Sequence, residues 1–180
     1  MKANELKVLH IIGGDMDGGA AKGAVNLHNA LIDIGVKSFV INNYENSGTR
    51  NLLKRGGSKY KAWIYNHLDR LPLYFYLFRK KIIFSPGLVG ENVISVIDKN
   101  KIDVLHLHWI NSGFFNISDL TKVKIPIVWT MRDAWAFTGG CHMPMTCDKF
   151  KTTCNNCEQL KSNHFHDLSF FGFKRKIGIA

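Results

Sequence analysis

Val8-Leu9-His10-Ile11-Ile12-Gly13-Gly14, then Gly18-Gly19-Ala20-Ala21, then Lys37-Ser38-Phe39-Val40-Ile41 is the stretch that decides the fold. The short apolar run from Val8 to Ile12 stops at paired glycines and reads as a buried strand. From Ala20 the period changes. Ala24, Leu27, Leu31 and Ile34 recur at helical spacing, and Gly35 stands where a helix commonly ends in a left-handed residue. Lys37 to Ile41 is a second strand, closed by Asn42-Asn43. Strand, glycine-rich loop, helix, strand is a βαβ unit, and its crossover requires a parallel sheet.

The same alternation continues outward. Val93, Ile94, Val96 and Ile97 mark a helix face, Val104 to His108 a strand, and Asp119-Leu120-Thr121 a short helix or turn. Ile125 to Thr130 is another strand, with Pro126 near its start, where a missing N–H is tolerated. This pattern predicts a Rossmann-like, doubly wound α/β domain. Between the two ordered regions, residues 62–84 are crowded with aromatics from Trp63 to Phe78 and end in Arg79-Lys80-Lys81. Pro72 divides them into two short predicted helices, and Ser85-Pro86-Gly87 is a turn. Beyond Arg132 the periodicity stops. Cysteine, glycine and polar residues run to about 165, and a basic, Phe-rich tail follows.

With 180 residues, 46% apolar and 21% charged, the chain has room for one α/β domain with a core. The polar start and the shortness of the Val8–Ile12 run fit neither a signal peptide nor a bilayer span, so a cytoplasmic protein is expected. The formal charge of +10 attracts nucleic acid, anionic lipid or phosphorylated ligands without choosing among them. Lys54-Arg55, Arg79-Lys80-Lys81 and Lys174-Arg175-Lys176 each read as solvated surface. The aromatic segment reads either as helices packed on the sheet or as a surface meeting a membrane or a lipid-linked acceptor. Exposure of Tyr74, Phe75 and Phe78 separates the two.

Ligands of an open parallel sheet bind beyond the carboxyl ends of its strands. Three segments reach that edge. Gly13 to Ala21 leads into a helix start, and Gly18 and Gly19 let backbone N–H groups approach a diphosphate, or else form a plain βα loop. In the second segment His106 and His108 project to one face. His106 reads as a core histidine and His108, at the strand end, as the better site candidate beside Trp109 and Asn111. The third offers Arg132 and Asp133, either a structural ion pair or a phosphate-binding arginine beside a carboxylate for a sugar hydroxyl.

These residues carry a resemblance. His106-Leu107-His108-Trp109-Ile110-Asn111 and Pro126 through His142, with Gly18-Gly19-Ala20-Ala21 and Ser85-Pro86-Gly87, resemble glycosyltransferase family 4, in its exopolysaccharide, colanic-acid and O-antigen branch. The resemblance implies the N-terminal, acceptor-side half of a GT-B fold and retaining transfer from a nucleotide sugar without a catalytic metal. It also implies a glycan or lipid-linked acceptor, and a place at the inner face of the cell membrane. Arg132 and Asp133 stand where the family commonly has His-Asp, and arginine cannot act as a base at neutral pH. The expected division is 1–135 as the acceptor-side domain, 136–165 as a Cys-rich loop of that domain, and 166–180 as the approach to a second half. Alone, the chain is expected to be inactive.

Cys141, Cys147, Cys154 and Cys157 are the only cysteines. In a cytoplasmic protein this grouping favours a structural Zn site, with free thiols or disulfides as alternatives and His142 as a substitute ligand. Two other functions compete. For a nicotinamide-dependent oxidoreductase, the glycines at 13, 14, 18 and 19 miss the dinucleotide spacing, and no carboxylate ends the second strand. For a zinc-containing nucleic-acid-binding module, the basic residues are scattered and the cysteines fall within an α/β domain, so no nucleic-acid partner is expected.

Overall fold

The computed structural model describes residues 5–14, 17–42, 48–53 and 59–178. Lys54-Arg55, Asp15-Met16 of the glycine-rich loop and Asn43 lie outside them. Strands β1 (Lys7–Ile12), β2 (Lys37–Asn42), β3 (Val104–Leu107) and β4 (Ile127–Trp129) form one sheet in the order β2-β1-β3-β4. All pairings are parallel, with His10 opposite both Val40 and His106. Alternation along the strands separates two buried layers. Leu9, Ile11, Ile41, Leu105 and Leu107 pack with Val93 and Ile97, at and within α3 (Ile94–Asn100). Ile12 and Val40 face the other way, onto Ala21 and Ala24 of α1 (Gly19–Asp33). Helices on both faces of a parallel sheet make the fold doubly wound, as the alternation requires.

The α1 stripe differs from expectation. Its buried residues are Ala21, Ala24 and His28, while Leu27 is 38% and Ile34 70% exposed. Small residues let the helix lie close to the sheet, and His28 is buried through polar contacts rather than apolar character. Its ring bonds Ser38 Oγ at 2.7 Å and the Arg50 carbonyl at 2.8 Å. The helix does end at Gly35, whose φ is +89°. Gly35 N–H donates to the Ile32 carbonyl and Val36 N–H to that of Leu31, the paired bonds of a Schellman termination.

Only the first helix of the aromatic segment forms, α2 (Lys59–Arg70). Residues Leu71–Phe75 make a 3-10 turn with Pro72 in its first positions, where its missing N–H costs nothing. The tail is helix α4 (Leu168–Ile177), started by Asp167, whose carboxylate accepts the N–H groups of Ser169 and Phe170. It touches the segment around Gly139 backbone to backbone. A Cβ on Gly139 would sit 2.3 Å from the Ser169 carbonyl oxygen, and one on Gly172 would sit 2.2 Å from that of Gly139. The solvated reading of Lys174-Arg175-Lys176 is wrong for Lys176, which is buried. Its Nζ donates to the carbonyls of Trp135 (2.6 Å) and Thr138 (3.0 Å) and lies 3.6 Å from the centre of the Trp135 ring. The helix end is thereby fastened beside the 133–142 region.

Candidate active site

The carboxyl ends of β1, β3 and β4 bring the three expected segments together. Gly13 N–H bonds the Trp109 carbonyl, and a Cβ on Gly13 would come within 2.6 Å of that oxygen. At Gly14 the backbone is left-handed (φ +75°), and a Cβ would meet the Trp109 ring at 2.9 Å. Both glycines are therefore needed to let the indole lie across the turn. Further along, Gly18 precedes α1 in an extended conformation, with no side-chain cap and no acidic residue in the first turn. Among the described residues nothing lies within 4 Å of a Cβ placed on Gly19, so none of them closes off the helix start.

Arg132 is exposed, and its guanidinium rests over α1 at Gly23, where a Cβ would meet Nη2 at 2.9 Å. Beneath it lies a cluster of imidazoles. His10, His106 and His108 are all buried, and His10 Nδ1 is 3.0 Å from His108 Nε2. His106 bonds Thr130 Oγ1 at 2.8 Å, the satisfied core histidine expected of it. Burial first, and then their mutual charges, lower His10 to about 3; burial, then His106 and Arg132, do the same to His108. His108, the site candidate at the end of β3, is thus a buried ring behind the strand ends. Asn111 is also buried, and its Oδ1 has no hydrogen-bond partner.

Asp133 is held from two sides. Its Oδ2 lies 2.6 Å from His142 Nδ1, and its Oδ1 accepts the Trp135 N–H at 2.8 Å. The Trp109 indole N–H stands near the carboxylate and adds to what holds it ionised. That N–H also lies 3.4 Å from His142 Nδ1, but Nδ1 is the donor toward Asp133, so the carboxylate is the better acceptor. Burial alone would raise the Asp133 carboxyl, but the bonds from His142 and Trp135, with the Trp109 N–H nearby, outweigh it and hold it below its ordinary range. Behind it, His142 Nε2 is 2.8 Å from Ser85 Oγ, and the Ser85 carbonyl accepts the Trp135 indole N–H at 2.7 Å. Ser85, His142 and Asp133 thus form one hydrogen-bonded chain ending at a partly open carboxylate, with 22% of its side chain exposed. The residues 108–111 and 129–136 enclose only about 10 Å³, so they form a wall and not a closed pocket. An ionised, immobile acceptor beside an arginine suits the orientation of a hydroxyl near a negatively charged group.

Sequence reading gives Ser85 no role beyond a turn and His142 none beyond that of a substitute metal ligand. Both stood inside stretches quoted for the resemblance, which was the available signal. His142 is not a substitute metal ligand, because both ring nitrogens are engaged with Ser85 and Asp133.

Cys141 and Cys157 are buried in one cluster with Leu73, Phe84 and Leu160. The backbone N–H of Gly139 reaches Cys154 Sγ at 3.2 Å, and that of Leu160 donates to the Cys157 carbonyl at 3.1 Å. Cys147 is the least buried of the four. Among the described residues, the one group of three metal-capable side chains with ligand atoms all within 4.8 Å is His10, His106 and His108. No three of the sulfurs approach so closely.

Against this geometry, one comparison with known proteins is informative. Over 160 residues the chain is 26% identical to the Escherichia coli (strain K12) protein named "Putative colanic acid biosynthesis glycosyl transferase WcaC". The match takes in 81% of this chain and 38% of that protein, so the chain spans little more than a third of its relative. The similarity places this chain beside a glycosyl transferase. No protein-family model matches the chain, and no solved structure matches it.

Proposed function

We propose that this chain is the acceptor-side part of a retaining, hexosyl-transferring glycosyltransferase of family 4 and GT-B type, acting in surface polysaccharide synthesis. The observation that carries the reading is Asp133. It is ionised, fixed by hydrogen bonds from His142 and Trp135 and partly open at the strand ends. In this reading Asp133 orients the attacking hydroxyl of a glycan or lipid-linked acceptor, and Trp109 supports the sugar face. Arg132, with the open start of α1 at Gly18 and Gly19, offsets charge on the donor diphosphate. His108 and Asn111 support the wall from behind. No catalytic metal takes part. The likeness to WcaC and the family-type motifs point the same way. Among the described residues no helix is long and apolar enough to cross a membrane, and we place the protein in the cytoplasm, peripheral to the membrane's inner face.

Transfer itself tests this. The chain is incubated with a panel of nucleotide sugars and a lipid-linked acceptor, alone and with a separately made donor-binding half. Nucleotide release that needs both halves is expected. Robust turnover by this chain alone, or none with both, ends the proposal.

The same reading gives Cys141, Cys147, Cys154 and Cys157 a structural Zn. The backbone N–H of Gly139, aimed at Cys154 Sγ, suits a thiolate ligand, and a metal would brace a loop with little regular structure. A ZnS₄ tetrahedron with Zn–S near 2.3 Å needs sulfurs about 3.8 Å apart, so the loop must draw its sulfurs together on binding. Metal analysis of protein prepared without added metal is expected to find about one Zn per chain. Metal-free protein with four titratable thiols and unchanged melting would count against it.

A further inference from the structure

The face formed by α2 and the chain after it is apolar where solvent should favour polar groups. Phe75 is 85%, Phe78 86%, Leu77 83% and Tyr74 65% exposed. Trp63 and Ile83 extend the same exposure along the segment. Folding leaves these rings outside, so core packing does not account for them, and such a patch on a soluble surface marks an interaction site. Charge identifies what it meets. Residues 59–83 contain six Lys or Arg and one acid, Asp69, which is buried with its carboxylate turned to the N–H groups of Leu88 and Val89. A groove of about 490 Å³ runs beside the exposed rings. Arg70, Arg79 and Lys81 line it together with Tyr74, Leu77 and Ile83. Cations and apolar side chains thus share one concavity, with exposed phenylalanines next to it.

We propose that this face seats on a membrane containing anionic phospholipid, with Phe75, Leu77 and Phe78 entering the headgroup boundary and the groove holding a lipid phosphate between Arg70, Arg79 and Lys81. Aromatic and aliphatic side chains gain by leaving water there, and each cation near the surface adds attraction that falls off with salt. A neutral bilayer offers only the apolar part. A protein partner of ordinary acidity would not call for this density of exposed aromatic rings beside the cations. The proposal does not depend on sugar transfer, since binding is read without donor or acceptor.

Co-sedimentation with vesicles tests it, comparing phosphatidylcholine alone with phosphatidylcholine containing phosphatidylglycerol. Binding is expected to the anionic vesicles and to fall with added salt. Replacing Arg79→Gln and Lys81→Gln together should weaken partitioning roughly 30-fold, from about fivefold per cation. Phe75→Ser with Phe78→Ser should weaken it by at least about tenfold. All four side chains are exposed, so unchanged circular dichroism and melting are expected of both variants. Equal binding to both vesicle types, no binding to either, or full binding by the variants overturns the proposal. A dimer that the phenylalanine variant dissolves, with no vesicle binding, also overturns it and assigns the face to a second copy of the chain.

Discussion

Acidification below pH 6.5 should unfold this protein steeply, well before ordinary carboxylates titrate. The cause is the imidazole cluster under α1. His10 and His108 are buried and lowered to about 3, and His28 and His106 are lowered as well, in each case first by burial. The unfolded chain takes up protons on these rings near pH 6.5, while the folded chain refuses them until about pH 3. Stability is therefore complete above pH 6.5 and declines as pH falls through that window. Each strongly lowered histidine contributes a loss of about 1.4 kcal/mol per pH unit once well below 6.5. Two of them cost on the order of 5 kcal/mol by pH 4.5, comparable to the whole stability of many domains. Arg132, close enough to repel protonated His106 and His108, works in the same direction. Asp69 opposes it, because burial raises its carboxyl and the folded form then binds the extra proton, but it is one group against several. Urea midpoints measured at about pH 7.5, 6.0, 5.0 and 4.5 should fall progressively. His10→Gln should reduce the steepness. A midpoint constant from pH 7 to pH 5 would sink the idea.

The cluster also shows what was readable in the sequence and what was not. The βαβ start was legible because strand and helix periods differ, and Gly35 terminates α1 by a mechanism that glycine alone serves well. His106 and His108 were placed on one face from their spacing. That they meet His10 depends on β1 and β3 lying side by side, a pairing across about a hundred residues that periodicity does not report. The wrong stripe on α1 has a related cause, since a buried histidine does not count as apolar in a pattern of apolar residues. Lys176 fails the solvated reading because its carbonyl and ring partners come from Trp135 and Thr138, far away in the chain. Arg132 and Asp133 stood out as polar residues ending an apolar strand. Their support from Ser85 and His142 did not, because Ser85 reaches His142 across 57 positions.

That support makes Asp133→Asn the sharpest test of the proposed site. The change removes charge and almost nothing else. The new amide oxygen still accepts the Trp135 N–H, the bond at 2.8 Å in the parent. Its NH₂ group would face His142 Nδ1, and the imidazole can answer by changing tautomer, so that Nδ1 accepts and Nε2 donates to Ser85 Oγ. The hydroxyl accepts as readily as it donates, so the chain of bonds runs in reverse and remains complete. Melting should therefore change little. What is lost is the ionised acceptor that the proposed mechanism needs to orient the attacking hydroxyl, a positioning loss expected to lower turnover on the order of 10²-fold. The measurement is kcat in the reconstituted two-half enzyme, beside melting of the variant chain. Ser85→Ala should give a smaller loss, because it leaves the carboxylate charged but frees the far side of the His142 ring. Parental turnover by Asp133→Asn with unchanged melting would remove Asp133 from the mechanism and leave the Ser85–His142–Asp133 chain a purely structural brace.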